Sequence, residues 1–293
     1  MKIAFCSDIH LEFGPITLEN TEGADVLVLA GDILVAKDFG PRILNPGDPS
    51  EQVIFLDNHA RYHAFLKNVS EQFPHVIYIM GNHEHYNGDF ATTMDTLRNE
   101  VGFYPNIRLL DKQPAVIGDV TFFGGTMWTN MKNCDPIVLH DVARSMNDYQ
   151  CVRNSSKPDV IRRGPNKTGE MVQYTSPAKF TTMDAVDDHV AFLNALGETL
   201  DSGAYKIVVV SHHAPTMRSI NPKYADVINM NYGYASDLSE FILDNPQIRK
   251  WIHGHMHHRQ EYCVGETVVS ANPRGYIGYE AIADSFTLQY MEV

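Results

Sequence analysis

Four histidines fall within residues 253–258 of this chain, as His253-Gly254-His255-Met256-His257-His258. Imidazole nitrogen is a preferred ligand for zinc, copper, iron and nickel, and alternating histidines on an extended segment reach two sides of one site. A solvated histidine-rich loop is the plainer alternative. Elsewhere Asp8 and His10 stand two apart, Asp32 follows Gly31, Asn82 and His83 follow Gly81, and His212 precedes His213. Each of these alone is ordinary, because Asp, Asn and Gly form turns and a lone Asp or His can cap one. Together they offer carboxylate, amide and imidazole donors, a mixed set that suits Mn, Fe, Zn, Co or Ni without selecting among them. Such ions polarise phosphoryl oxygens and acidify water, which is the chemistry of phosphoester hydrolysis.

These residues share a local context. Apolar segment 2–5 runs toward Ser7, Asp8 and His10, and 25–30 ends at Gly31-Asp32. Segment 75–80 ends at Gly81-Asn82-His83, 206–210 at Ser211-His212-His213, and Trp251-Ile252 runs into His253-Gly254-His255. Short apolar runs closed by polar turns read as buried strands. In layered α/β folds, sites assemble from the loops at one end of the strands. Helical spacing occupies 61–73, 90–101, 184–200 and 237–243, and strand-like stretches cover 120–124, 267–271 and 285–291. The expectation is an α/β fold with two mixed sheets sandwiched between helices, formed as one domain over 1–293. Two stretches, about 36–58 and 130–182, fit neither period. They are expected to be long loop insertions, either lids or decoration.

Taken in order along the chain, Asp8-Ile9-His10, Gly31-Asp32, Gly81-Asn82-His83-Glu84, His212 and Gly254-His255-Met256-His257 resemble the five motifs of the calcineurin-like metallophosphoesterase superfamily. The resemblance implies that family's four-layer sandwich of two mixed sheets flanked by helices. It implies a dinuclear centre of divalent or trivalent ions. Asp8, His10, Asp32 and His257 would hold one ion, and Asp32, Asn82, His212 and His255 the other, with Asp32 as the bridge. It also implies a bridging hydroxide as nucleophile, and His83 as hydrogen-bond or proton donor toward the leaving oxygen. His213, His253 and His258 lie outside the family's ligand positions, where orienting contacts, substrate contacts and plain exposure are all open to them.

Departures narrow the subclass. Protein Ser/Thr phosphatases of the superfamily continue Gly-Asp as Gly-Asp-x-x-Asp-Arg-Gly, whereas this chain reads Gly31-Asp32-Ile33-Leu34-Val35-Ala36-Lys37. The missing Asp and Arg argue against a phosphoprotein substrate, and support for His83 must come from elsewhere. Gly125-Thr126-Met127-Trp128-Thr129, Met146-Asn147-Asp148-Tyr149 and Asn272-Pro273-Arg274-Gly275-Tyr276 resemble a bacterial and phage branch of metallophosphoesterases that fixes no substrate. Arg274 is a candidate for a bidentate phosphate contact, with a surface salt bridge as the alternative, and His213 is a further candidate for substrate contact.

Composition sets outer bounds. Hydrophobic residues at 44% and charged residues at 20% are ordinary for a globular chain. A net charge of -13 argues against general nucleic-acid binding, which needs basic patches that release counterions. One basic stretch, Arg153, Lys157, Arg162, Arg163 and Lys167 against Asp159, could steer a polyanion or simply be solvated. No apolar run approaches the roughly 20 residues a membrane helix needs. The N-terminus reaches Ser7, Asp8 and His10 without a signal-peptide pattern, and Cys6, Cys134, Cys151 and Cys263 are scattered. A cytoplasmic protein with reduced thiols is expected. Its expected activity is metal-dependent hydrolysis of a small phosphodiester or nucleotide. Phosphomonoesterase activity and a catalytically silent metal-binding scaffold are the alternatives.

Overall fold

The computed structural model describes residues 1–40, 42–43, 53–54, 57–166 and 168–293. Strand Lys2–Cys6 is buried over Ile3 to Cys6, as a strand covered on both faces must be. Its side chains alternate between two cores. Ala4 and Cys6 join Leu27, Leu29, Val76 and Tyr78 on the outer face, under Tyr62, Phe65, Leu66, Val69, Leu97 and Val101. Those outer residues come from two helices, α1 (Asp57–Gln72) and α2 (Phe90–Val101). Ile3 and Phe5 point the other way, joining Val26, Val28, Ile77 and Ile79 against Phe122, Val208, Val210 and Ile252 of a second sheet. Beyond that sheet, Phe123, Val209, Trp251 and Val269 pack under Phe192, Leu196, Leu200 and Ile242. The result is four layers, helix, sheet, sheet, helix, each boundary following the period-two alternation of its strands.

The first sheet has the order Gln289–Glu292, Lys2–Cys6, Val26–Ala30, His75–Ile79, Ile107–Leu110. The second runs Gln260–Val264, Thr267–Ala271, Ile248–His253, Ile207–Ser211, Val120–Gly125, Gln113–Ile117. Inner neighbours are parallel, and antiparallel strands close one edge of the first sheet and both edges of the second. Pro114 sits in an edge strand, where its missing N–H costs no ladder bond. Both sheets are therefore mixed, as the sequence leads one to expect.

The expectation of a long loop over 130–182 needs correction. This stretch carries Met131–Cys134, whose φ values of 49°, 55°, 56° and 61° make it a left-handed turn, then Pro136–Ser145 and Asp148–Cys151 as helices, and a hairpin, Val160–Pro165 with Met171–Ser176. Asp135 caps the first of these helices by accepting from Ile137 N and Val138 N, and Pro136 occupies its first turn. Val138, Val142, Met146, Tyr149 and Val152 pack with Trp128 and Phe180 in a core of their own. The two four-residue segments are too short for a 3.6-residue period to stand out. The hairpin, by contrast, is exposed on nearly every residue of both strands. Of the stretch 36–58, Ala36–Phe39 forms a 3-10 turn and α1 begins at Asp57, while 41, 44–52 and 55–56 lie outside the described residues. Among the described residues no helix is long and apolar enough to cross a membrane.

Candidate metal centre

The five motif loops leave the C-terminal ends of parallel strands, three in one sheet and two in the other, so the two sheets deliver their polar residues to one rim. The backbone there is unusual. Asp8, His10, Asp32, His255 and His257 have φ of 51°, 48°, 54°, 67° and 42°, the left-handed region. Such a conformation costs an L-residue about 1 kcal/mol and clusters where surrounding structure over-determines it, at functional sites. Much of that surrounding structure is Glu84. Its carboxylate accepts from Asp32 N at 3.0 Å, Ile33 N at 2.8 Å, Gly81 N at 2.6 Å and the Tyr78 hydroxyl at 2.9 Å. One buried side chain thereby ties the Asp32 loop to the Asn82 loop. Glycine is required beside the ligand-type residues, since a Cβ on Gly81 would overlap the Asp32 carboxylate and one on Gly254 would lie 2.8 Å from Asp8 Oδ2.

The structure brings Asp8, His10, Asp32, Asn82, His83, His212, His255 and His257 together. Three groups at this rim have ligand atoms all within 4.8 Å of one another; Asp8 with His10 and His257, and Asp32 with His212 and His255, are the two made of expected ligands, and His10 with Glu12 and His83 is the third. Asp32 Oδ2 lies 3.2 Å from His212 Nε2 and 3.9 Å from His10 Nε2, so it adjoins both groups. Asn82 Oδ1 lies 3.0 Å from His212 Nε2, and its amide nitrogen donates to the Tyr86 hydroxyl at 3.2 Å, which fixes the oxygen toward the site.

The second ring nitrogens test whether these groups suit a cation. His212 Nδ1 donates to Ala30 O at 2.9 Å, His10 Nδ1 to Glu12 Oε1 at 3.1 Å, and His257 Nδ1 to Glu280 Oε2 at 2.6 Å. Each Nε2 is left to face a carboxylate or another Nε2, His10 and His257 approaching to 3.1 Å. Anchoring one ring nitrogen on an oxygen acceptor so that the other presents its lone pair is how metal-ligating histidines are oriented. His255 Nε2 is buried with no hydrogen-bond partner in the protein, and burial holds its pKa well below the ordinary value. The donor set fits divalent transition metals. Burial opposes charge on His212 and His257, but Asp32 raises the first to about 9, and Asp8 and Glu280 raise the second to about 10. Protons and cations therefore compete for these nitrogens.

His83 stands beside both groups, its Nε2 4.0 Å from Asp32 Oδ2 and 3.2 Å from the Tyr276 hydroxyl. Its ring stacks on Tyr86 at 4.0 Å, and its Nδ1 donates to Glu12 Oε1 at 2.9 Å. Burial works against ionising Glu12, yet the hydrogen bonds from His10 and His83 hold its pKa at about 2. Burial likewise opposes charging His83, and Asp32 and Glu12 outweigh it, so the imidazole pKa is raised.

Two expected substrate contacts are placed elsewhere. Arg274 is buried, and its guanidinium donates to Ile9 O at 3.1 Å, Gly14 O at 3.0 Å and Pro15 O at 2.9 Å. It clamps the loop that carries His10 and Glu12, and forms no salt bridge among the described residues. His213 packs behind His255, with ring centroids 4.2 Å apart, and burial pushes its pKa down to about 3. His253 is buried against Ser219, with Nε2 2.9 Å from its hydroxyl. Glu12 and Glu280 were not among the expected site residues, and Glu84 and Tyr276 were motif residues without an assigned role. Glu84 was legible as the fourth residue of Gly81-Asn82-His83-Glu84; Glu12 and Glu280 carry no local signal.

A cavity of about 520 Å³ opens on Asp32, Asn82, His83, His255 and His257, walled by Tyr86, Met146, Tyr224, Met230, Tyr234 and Tyr276. Ser145, Met146, Asn147 and Asp148 of the 130–182 stretch line it, whereas the hairpin does not.

Comparison with known proteins agrees with this geometry. An uncharacterized protein of Acanthamoeba polyphaga mimivirus is 24% identical over 227 residues, covering 72% of this chain and 72% of the relative. The crystal structure of phosphopantetheinyl hydrolase from Mycobacterium tuberculosis superposes with a TM-score of 0.61 at 14% identity, covering 94% of this chain and 89% of that one, a likeness of fold. The family model for calcineurin-like phosphoesterase matches residues 1–259, which include every residue of the two ligand groups. The chain belongs to the calcineurin-like phosphoesterase family, whose chemistry is metal-dependent phosphoester hydrolysis.

Proposed function

We propose that this chain hydrolyses phosphodiester or nucleotide substrates at a dinuclear metal centre, and that it belongs with the bacterial and phage branch that its segments 125–129, 146–149 and 272–276 resemble. The observation that carries the reading is Asp32, whose one carboxylate adjoins both ligand groups. Ions held there would draw charge from the phosphoryl oxygens and lower the pKa of water beside them. Glu12 keeps His83 oriented through Nδ1, and Asp32 and Glu12 raise its pKa, which favours an Nε2–H that can pass its proton to the leaving oxygen. The Tyr276 hydroxyl holds that nitrogen in place.

The cavity supports a diester over a monoester. No lysine or arginine is among the described residues that line it, and Arg274 is committed to backbone carbonyls. A monoester carries a second negative charge that these walls do not meet. The tyrosine and methionine walls instead offer apolar area for a second ester group.

The test is hydrolysis of bis(p-nitrophenyl) phosphate beside p-nitrophenyl phosphate by metal-stripped protein with added Mn²⁺. Wild type is compared with His83→Ala and Asp32→Asn. Metal-restored diester turnover that both variants lose is expected. Turnover of the monoester alone would favour a phosphomonoesterase. No turnover of either with Mn²⁺, Zn²⁺, Co²⁺ or Ni²⁺, despite bound metal, would favour a silent scaffold.

A further inference from the structure

We propose that His59, His63 and Glu100 form an additional transition-metal site that staples α1 to α2. His59 and His63 stand four apart on α1, so both rings leave one face of the helix, and their centroids are 4.7 Å apart. Glu100, in the last turn of α2, brings Oε2 to 3.2 Å from His63 Nε2. One ligand atom from each of the three lies within 4.8 Å of the other two. Ligands of a tetrahedral ion with bonds of about 2.0–2.1 Å stand roughly 3.3 Å apart, so side-chain rotation alone closes the site.

The hydrogen bonding around His63 prepares it for this role. The Tyr104 hydroxyl donates its single proton to His63 O at 3.1 Å. His63 Nδ1, 3.1 Å from the same hydroxyl oxygen, is then the donor in that contact. The Nε2 left over faces the Glu100 carboxylate, and two acceptors so close repel unless a proton or a cation lies between them. Both side chains are about a quarter exposed, at 24% for His63 and 25% for Glu100, so an ion can reach them from solvent. Phe39 packs on the rings of His59 and His63 at 6.0 and 5.3 Å, forming an apolar wall. Two imidazoles and one carboxylate suit Zn²⁺, Ni²⁺ or Cu²⁺ over Mg²⁺ or Ca²⁺, with a fourth position left for water.

The staple would sit at a junction that matters to the Asp32 loop. Asp38, beside Phe39, accepts from Asn58 at 2.7 Å and from the Tyr62 hydroxyl at 3.2 Å, tying the chain after Asp32 to the start of α1. An ion on His59, His63 and Glu100 fixes that same start to α2.

The test measures Zn²⁺ retained after desalting and the melting temperature in wild type, His59→Gln and Glu100→Gln, each checked for native circular dichroism. Each variant is expected to retain one Zn²⁺ fewer than wild type and to bind that equivalent at least tenfold more weakly. Part of the Zn²⁺-dependent rise in Tm is lost with it, while Mn²⁺-supported turnover stays unchanged. Equal Zn²⁺ content and equal Tm shifts in all three proteins would overturn the proposal and leave His63 and Glu100 as an ion pair. The readout is a difference of one equivalent between proteins with the same Asp32 region, so it holds whatever number of ions that region binds.

Discussion

Glu12 Oε1 accepts from His83 Nδ1 at 2.9 Å while also accepting from His10 Nδ1 at 3.1 Å, so one carboxylate oxygen orients a proposed metal ligand and the proposed proton donor. The usual Asp of the protein phosphatases is missing after Asp32, and Glu12 does the corresponding work from a different loop.

A pH dependence follows. Without metal, Asp32 and Glu12 raise the His83 pKa against its burial; with ions on Asp32, the hydrogen bond to Glu12 is the raising interaction that remains. Turnover should fall as pH rises through that pKa. Glu12→Gln removes one raising interaction, so the alkaline limb of kcat/KM should move to lower pH, with kcat down about tenfold at the optimum. His83→Ala should lower kcat about 10²–10⁴-fold with metal content retained. An alkaline limb that stays in place in Glu12→Gln would remove Glu12 from this role.

Glu84 is an acceptor on both oxygens, each taking two donors. In Glu84→Gln one oxygen becomes an amide nitrogen that meets two donors. The expected loss is about 3 kcal/mol of stability, read as a lower denaturant midpoint, with metal affinity weakened as the Asp32 and Asn82 loops separate.

Arg274 separates two roles cleanly. Holding Ile9, Gly14 and Pro15 carbonyls predicts that Arg274→Ala loses about 2–4 kcal/mol of stability, since buried acceptors lose charged donors. The folded variant should keep the wild-type KM for a diester. A KM raised tenfold or more with unchanged stability would instead mark a phosphate contact.

Metal uptake should release protons. His212 and His257, raised to about 9 and about 10, carry protons at neutral pH that an ion must displace, so affinity should climb with pH up to those values. Calorimetric titration of Mn²⁺ in two buffers of different ionisation enthalpy measures the protons released. A heat independent of buffer would contradict the competition.

Much of this was legible in the sequence, for a physical reason. Asp8, Asp32, Asn82, His212 and His255 each follow an apolar strand, so local pattern alone announces a polar residue delivered to a rim. Helix 90–101 coincides with α2, while 61–73 begins four residues after the start of α1 at Asp57. Glu12 was not legible because its partner His83 is 71 residues away, and Glu280 pairs with His257 across 23 residues. Arg274 was ambiguous because a guanidinium after a strand suits a phosphate and a carbonyl cluster equally well. Strand Gln113–Ile117 hid behind Pro114.

The bridging role proposed for Asp32 is tested most directly by the electron paramagnetic resonance spectrum of metal-stripped protein loaded with two equivalents of Mn²⁺. A shared Asp32 carboxylate would hold two ions about 3.5–4 Å apart, close enough for exchange coupling. A coupled multiline spectrum is expected in wild type and is abolished in Asp32→Asn. A six-line spectrum of isolated Mn²⁺ in wild type at full loading would contradict that role.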